Sequence, residues 1–320
     1  MELNTIITER SIEKSSSYDL VYEWEDKFSQ DLGLKFSYDD GMRTNRWVRR
    51  LRLQNALTTR KNALVFKMST FGHSGFNKSN IVPYIIDFHL SEDQLEWLYE
   101  TYSKHPVVFV SSKEAYDFLK SKGCPLNISH LALSISDKYR INLNTRYEKK
   151  YDLVMMGRQN PVLMKYLEEY IKRHPDFVYV YRQEVDNHYH YYVSTGEYLG
   201  DIINRADYIN LMRQARVGLY ATPGIDGGEE RTRGFNQVTP RFLEYISCCC
   251  HVIARYPQNS DTDYYELSRF CQSVESYEQF ESAMNEALAK DVDVKSYSEY
   301  LENHYTSVRA KTMSKILNTL

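Results

Sequence analysis

The chain has 320 residues, with 40 basic and 43 acidic side chains and a formal net charge of −3. Hydrophobic residues at 42% and charged residues at 26% match an ordinary globular protein, which excludes a mainly disordered chain, a collagen-like repeat and a small disulfide scaffold. At about 150 residues per domain the length corresponds to roughly two domains.

No stretch approaches the roughly 20 apolar residues of a membrane-spanning helix. The opening MELNTIITERSIEKSSS has no apolar core of a secretory signal. The expected location is therefore the cytoplasm. Cys248, Cys249 and Cys250 are consecutive, a poor geometry for disulfides with one another, and Cys124 and Cys271 are isolated. Free thiols are expected, and no zinc site, because zinc needs spaced ligands.

In chain order, the first feature is a charge asymmetry. From Gly41 to Ile86 there is no Asp or Glu, while Arg43, Arg46, Arg49, Arg50, Arg52, Arg60, Lys61, Lys67 and Lys78 give +9 against −12 for the rest. Such a patch suits a phosphate-bearing partner or an anionic surface. Asn62 to Met68 reads as a strand running into a loop with Gly72, His73 and Gly75. Ile81 to Phe88 reads as a second strand. Ser91 with Gln94 forms a capping box for a helix. His105 to Val110 is a third strand, after which Ser111 with Glu114 caps a helix that Gly123 ends. The polar stretch 134–151 is the candidate linker, giving an N-terminal domain over 1–145.

The α/β pattern then restarts over 146–292. Tyr151 to Met156 is a strand ending at Gly157-Arg158, and Asn160-Pro161 opens a helix. Phe177 to Tyr181 and Val217 to Ala221 are strands, with NHYHYY (187–192) between them read as loop. PGIDGGEERTRGFNQ (223–237) is a Gly-rich loop. Thr239-Pro240 starts a helix reaching about Cys248, His251 to Ala254 is a strand, and Ser276 with Gln279 caps a helix to Ala289. One last helix is expected over Ser298 to Leu317, within a C-terminal segment 293–320.

In open α/β sheets ligands sit beyond the carboxyl ends of strands, and helix N-termini there offer free N–H groups to phosphate. Two junctions fit. At the first, Gly157 permits close backbone approach, Arg158 supplies a forked donor for a diphosphate and Lys165 adds a point charge. At the second, TPRFLEYISCCCHVIARYP (239–257) puts Arg241 in the first helical turn and Glu244 in the second, where a carboxylate can accept from two vicinal ribose hydroxyls. The plainer alternatives are surface cations on a βα unit and a Glu that complements the helix dipole.

Here the sequence resembles the nucleotide-sugar glycosyltransferases of the GT-B fold, in particular the group 1 families with their spore-coat-like branch. Their acidic residue opens E-A-x-A-C-G-x-P-V-I-A, and Glu244 to Ala254 aligns with it without a gap. IINRADYINLMRQARVGLYATPG (202–224), Tyr151 to Arg158 and the Ser276–Ala289 helix resemble further elements of the donor domain. HPVVFVSSKEAYDFLKSKGC (105–124) resembles, more weakly, the last strand and helix of the N-terminal domain. The family's first Glu, eight positions earlier, is Asn236 here, its Gly is Cys249 and its Pro is His251.

The resemblance implies two Rossmann-like domains facing each other across a cleft, with the C-terminal helix packing back on the first. It implies transfer of a sugar from a nucleotide-diphosphate donor to a glycan or lipid-linked acceptor, in cell-surface polysaccharide synthesis. The donor set is Gly157, Arg158, Lys165, Asn236, Thr239, Arg241 and Glu244, with no metal or other cofactor. Acceptor and base would lie in the first domain, with His73, Asp87 and His89 as base candidates. Relatives with the two-Glu element retain anomeric configuration, and Asn236 weakens that inclination toward retention. The Arg46, Arg49, Arg50 and Arg52 patch reads as a site for a phosphorylated or lipid-diphosphate acceptor, as a helix on anionic lipid beside Trp47, Val48, Leu51 and Leu53, or as a solvated basic helix. The rival function is a non-catalytic binder of nucleotides or nucleic acid.

Tyrosine is over-represented at 28 residues, eight before residue 147 and twenty from Tyr147 onward. Tyr rings stack on sugars and bases, yet Tyr166, Tyr170 and Tyr245 lie where core packing suffices. The loop near Tyr181 and Arg182 is the expected place of base choice.

Overall fold

The structure is a computed structural model that describes residues 1–8, 10, 16–38, 46–58, 60–70, 76–185, 188–201 and 204–320. The chain divides into two compact units. The first comprises Met1–Asp137, Arg231–Phe235 and His304–Leu320, and the second Lys138–Glu230 and Asn236–Asn303.

The first unit is built from β1 (Thr5–Ile7), α1 (Ser16–Leu32), β2 (Lys35–Tyr38), α2 (Arg46–Leu57), β3 (Ala63–Lys67), β4 (Ile81–Ile85), α3 (Leu95–Tyr102), β5 (Val108–Val110), α4 (Lys113–Ser121) and β6 (Ile128–His130). Its described strands form a parallel six-stranded sheet in the order β2-β1-β3-β4-β5-β6. β3 and β4 are near-continuous apolar runs, as strands covered on both faces require. Pro83, which has no N–H to donate, precedes the β4–β5 pairing at Tyr84 and Ile85. The helix after β5 is capped one residue later than expected. Ser112 accepts from the Ala115 amide at 3.0 Å, because the Ser111 hydroxyl is committed to the Ile86 carbonyl.

The second unit follows with β7 (Tyr151–Val154), α5 (Pro161–Arg173), β8 (Tyr179–Val185), β9 (His188–Val193), β10 (Tyr198–Asp201), α6 (Arg205–Arg213), β11 (Ala215–Ala221), α7 (Pro240–Ser247), β12 (His251–Arg255), α8 (Ser260–Tyr264), α9 (Leu267–Phe270), α10 (Tyr277–Ala289) and α11 (Val294–Leu301). The described strands order as β10-β9-β8-β7-β11-β12. β8, β7, β11 and β12 are parallel, while β8–β9 and β9–β10 are antiparallel. The segment read as loop over 187–192 is thus mostly strand β9. Asn160 caps α5 by accepting from Val162 and Leu163, Pro161 takes the first turn, and Leu163, Leu167 and Tyr170 are buried at helical spacing.

The expected single helix over Ser298–Leu317 is two helices, α11 and α12 (Thr306–Leu317). The break holds Tyr305, which bridges Ile135 in strand fashion. In the first unit α12 packs on α1, where Ala310, Met313 and Leu317 join Val21, Trp24 and Phe28 in one core.

Two backbone features tie the second unit to the motif that opened at Glu244. Cys249, at the place of the family's Gly, adopts φ +53, the left-handed region where glycine is at ease. Gly218 in β11 makes room for the Tyr245 ring, since a Cβ there would lie 2.1 Å from Cε1. Gly218→Ala is therefore expected to lower stability by about 1–3 kcal/mol, the scale of core overpacking, and Gly218→Ala combined with Tyr245→Leu to recover part of the loss. Denaturant unfolding measures both.

Candidate functional site

In the second sheet β8 and β7 lie on one side and β11 and β12 on the other, so the strand order reverses between β7 and β11. Ligands of open α/β sheets bind beyond the carboxyl ends of the strands at such a switch point. The segments leaving β7 and β11 carry Gly157-Arg158 and Thr222 to Gly228.

Gly157 sits at φ +64, and a Cβ there would lie 2.0 Å from Nη2 of Arg241. The glycine thus admits a protein side chain, where the sequence suggested close approach of ligand to backbone. Arg241, in the first turn of α7, donates from Nη1 to the Arg158 carbonyl at 3.0 Å and is hydrogen-bonded to Tyr208. Burial pulls its pKa down, yet it stays above the ordinary value, with the Glu244 carboxylate and the Tyr208 hydrogen bond among the groups that favour its charge. Its Nε and the Tyr245 hydroxyl are buried with no hydrogen-bond partner. Orphaned polar atoms of this kind are few in native proteins and call for an explanation.

Thr239 caps α7, and its amide donates to the buried Tyr220 hydroxyl at 3.0 Å. Asn236 is buried and accepts from the Thr222 hydroxyl at 2.8 Å, joining the segment after β11 to the one entering α7. Arg158 is exposed and paired with Glu229. Lys165 lies on an exposed face of α5. Glu244 is only 3% exposed, and its Oε1 is ion-paired with buried Arg205. Removing one partner of such a pair costs about 3–5 kcal/mol.

Sequence reasoning missed Arg205 and Tyr208, and also the lock that shapes the loop after β11. Asp226, at φ +55, receives two hydrogen bonds from Arg255, 2.6 Å from Nε and 2.8 Å from Nη2. Asn160 donates to the same carboxylate at 2.8 Å. Arg255 holds the Asp226 pKa below the usual carboxylate range. One carboxylate thereby fixes the loop to both β12 and the cap of α5. Among the described residues no group of three His, Cys, Asp or Glu side chains is placed to hold a metal ion.

In the first unit Asp87 and His89 follow β4 and are half-buried. Burial pushes the Asp87 pKa up to about 6, with Arg231 pulling the other way. Burial, reinforced by Arg231, pushes His89 down to about 4. Arg231 reaches them because Arg231–Phe235 belongs to this unit, with Phe235 in edge contact with Phe88 and Phe118 at 5.4 Å each. His73 lies outside the described residues. Arg50 is exposed on α2, and the side chains of Arg46, Arg49 and Arg52 also lie outside them. On the same helix Trp47 is 70% and Leu51 64% exposed. No helix of the described residues is long and apolar enough to cross a membrane.

The two shifts predict opposite pH dependences. An acid with a raised folded pKa favours folding at low pH, so Asp87 makes stability fall as pH rises from about 4 to 6. A base with a lowered folded pKa favours folding at high pH, so His89 makes stability rise from about 4 to 6.5. Relative to the parent, Asp87→Asn is expected to gain stability as pH rises through this window, and His89→Gln to lose it. Urea unfolding of the three proteins at several pH values measures the differences.

No family model matches the sequence, and no curated protein matches it. Solved structures do resemble the fold. A glycosyltransferase of avilamycin A biosynthesis, AviGT4, superposes with TM-score 0.56 at 11% identity, over 92% of this chain and 87% of that one. A trehalose-6-phosphate synthase, studied for glycosyl transfer with retention, gives 0.52 at 11% identity over 98% and 86%. The pneumococcal O-GlcNAc transferase GtfA, in complex with UDP and GlcNAc, gives 0.50 at 13% identity over 85% and 59%. The chain thus spans 59% of the length of GtfA. With its two six-stranded α/β sheets and these likenesses, the chain has the GT-B glycosyltransferase fold.

Proposed function

We propose that the chain is a glycosyltransferase moving a sugar from a nucleotide-diphosphate donor to a glycan or lipid-linked acceptor. The observation that carries this reading is the Arg241 guanidinium at Gly157, at the β7/β11 switch point. There α5 and α7 begin, and Arg158 adds a second guanidinium. A diphosphate leaving group gains charge as the sugar departs, and preorganised donors at that position stabilise it most in the transition state. Two guanidinium groups and two helix starts supply that neutralisation without a metal ion, and Lys165 contributes from further along α5. Glu244, with Oε1 held by Arg205, offers its other oxygen to the ribose.

The acceptor proton is assigned to Asp87 or His89. A carboxylate with a pKa of about 6 suits a base working near neutral pH. UDP in the pneumococcal enzyme supports a nucleotide-diphosphate donor, and retention in the trehalose-6-phosphate synthase study supports the retaining course. The exposed Trp47 and Leu51 beside Arg50 support contact of α2 with anionic lipid. A reaction at a membrane surface would fit the synthesis of cell-surface polysaccharide on a lipid carrier.

A thermal-shift panel of UDP, GDP, their sugars and a short oligonucleotide tests the reading. At least one nucleoside diphosphate is expected to raise Tm, with about 2.7 kcal/mol gained at a hundredfold excess over Kd. Glu244→Gln, which keeps an acceptor for Arg205, is expected to weaken that nucleotide about tenfold. Binding of the oligonucleotide alone would overturn the transferase reading in favour of a nucleic-acid binder.

A further inference from the structure

The β8–β9–β10 extension of the second sheet carries a row of aromatic rings that the transferase reading does not use. The row starts inside the core at Phe177 and crosses all three strands. Successive ring centroids lie 6.0 Å apart from Phe177 to Tyr179, 5.9 Å to Tyr181, 5.8 Å to Tyr192 and 5.1 Å to Tyr198. Tyr181 pairs with Tyr192 and Tyr192 with Tyr198 in register, so the rings share one face of the sheet. Tyr179 and Tyr181 pack on the core with Phe177. Outward the face opens, and Tyr198 is 51% exposed. The interplanar angles of 26° between Tyr181 and Tyr192 and 40° between Tyr192 and Tyr198 make a shallow, nearly continuous apolar floor.

The polar groups bordering this floor are specific. Asp201 accepts from the Tyr198 hydroxyl at 2.7 Å and lies 2.6 Å from His190 Nδ1. Gln183 stands opposite His190 in the β8–β9 register and is exposed. The Lys and Arg content of the three strands is a single residue, Arg182. It alternates to the other face, where its guanidinium lies 4.0 Å from the Tyr189 ring centroid.

We propose that this face binds a neutral glycan chain through stacking of sugar faces on Tyr181, Tyr192 and Tyr198. The floor matches the apolar C–H face of a sugar ring, while tyrosine hydroxyls, Gln183 and Asp201 exchange hydrogen bonds with its hydroxyls. Charge selects the occupant. A nucleic-acid strand also stacks on aromatic rings but needs a cationic groove for its backbone, and among the described residues of β8, β9 and β10 this face carries a carboxylate and no Lys or Arg. Strand pairing with a second copy is disfavoured by the outer strand, which is four residues long and breaks register between Tyr198 and Gly200. The inference does not rest on the transferase reading, because its residues lie on β8, β9 and β10, whereas that reading rests on the segments after β7 and β11.

Calorimetric titration of the full chain with neutral tetrasaccharides of glucose, mannose, galactose and N-acetylglucosamine tests it. At least one is expected to bind, and Tyr198→Ala to weaken it about three- to tenfold while Tyr198→Phe stays within twofold. Tyr198 is exposed, so its removal leaves the fold intact. Nucleoside diphosphate affinity, measured in parallel, is expected to be unchanged, which separates failure here from failure of the donor site. The proposal is overturned if no tetrasaccharide binds at millimolar concentration, or if Tyr198→Ala and Tyr192→Ala both bind like the parent. It is overturned equally if an oligothymidylate competes at this face, or if Tyr198→Ala abolishes self-association of the chain.

Discussion

Arg241 lies close against the backbone of Gly157, where a Cβ would fall 2.0 Å from its Nη2. That one approach organises much of the second unit. Gly157 turns at φ +64 after β7, just ahead of Asn160 and the start of α5. The approach of Arg241 fixes the first turn of α7 beside the end of β7, and α7 then places Tyr245 over Gly218 and Glu244 against Arg205. A guanidinium withdrawn in part from water keeps its charge at a cost unless its surroundings compensate. Here Glu244 and the hydrogen bond to Tyr208 do so in part, while Nε and the Tyr245 hydroxyl stay unsatisfied. Departures of this kind from full polar satisfaction concentrate at functional sites.

The first unit works through a different balance. Asp87 and His89 stand two residues apart after β4, and burial drives both toward the neutral form. Arg231 opposes that drift for the acid and reinforces it for the imidazole, so one cation brings the carboxylate nearer to ionisation and keeps the ring uncharged. The pair then holds one proton-accepting group with a pKa of about 6 and one polar ring of about 4. Such divergent pKa values in neighbouring groups are how acid and base roles are separated in enzymes.

What could be read from the sequence was local. The Asn160-Pro161, Thr239-Pro240 and Ser276 helix starts lie in their own few residues and stand where expected. The cap of α4 missed by one because Ser111 and Ser112 are equivalent locally, and the Ile86 carbonyl, 25 residues away, decides between them. β9 read as loop because its Tyr and His residues are amphipathic. Their pairing with Tyr181 and Tyr198 makes them a strand, which fits the β propensity of aromatic residues. The helix expected over Ser298–Leu317 broke because Tyr305 bridges Ile135 in strand fashion. Of the candidate site, Gly157, Arg158, Arg241 and Glu244 were legible as types. That Arg241 occupies the space beside Gly157, that Arg205 claims Glu244 across 39 residues, and that Arg231 sets the field at Asp87 are contacts no local pattern encodes.

Whether the charge at the β7/β11 switch point holds a diphosphate can be measured. Calorimetric affinities of the nucleoside, its monophosphate and its diphosphate, for the parent and for Arg241→Ala, test this most directly with uridine and guanosine series. The diphosphate is expected to bind at least tenfold more tightly than the nucleoside in the parent, and most of this preference to disappear in Arg241→Ala. Equal affinity across the series, or a diphosphate preference that survives Arg241→Ala intact, would contradict this expectation.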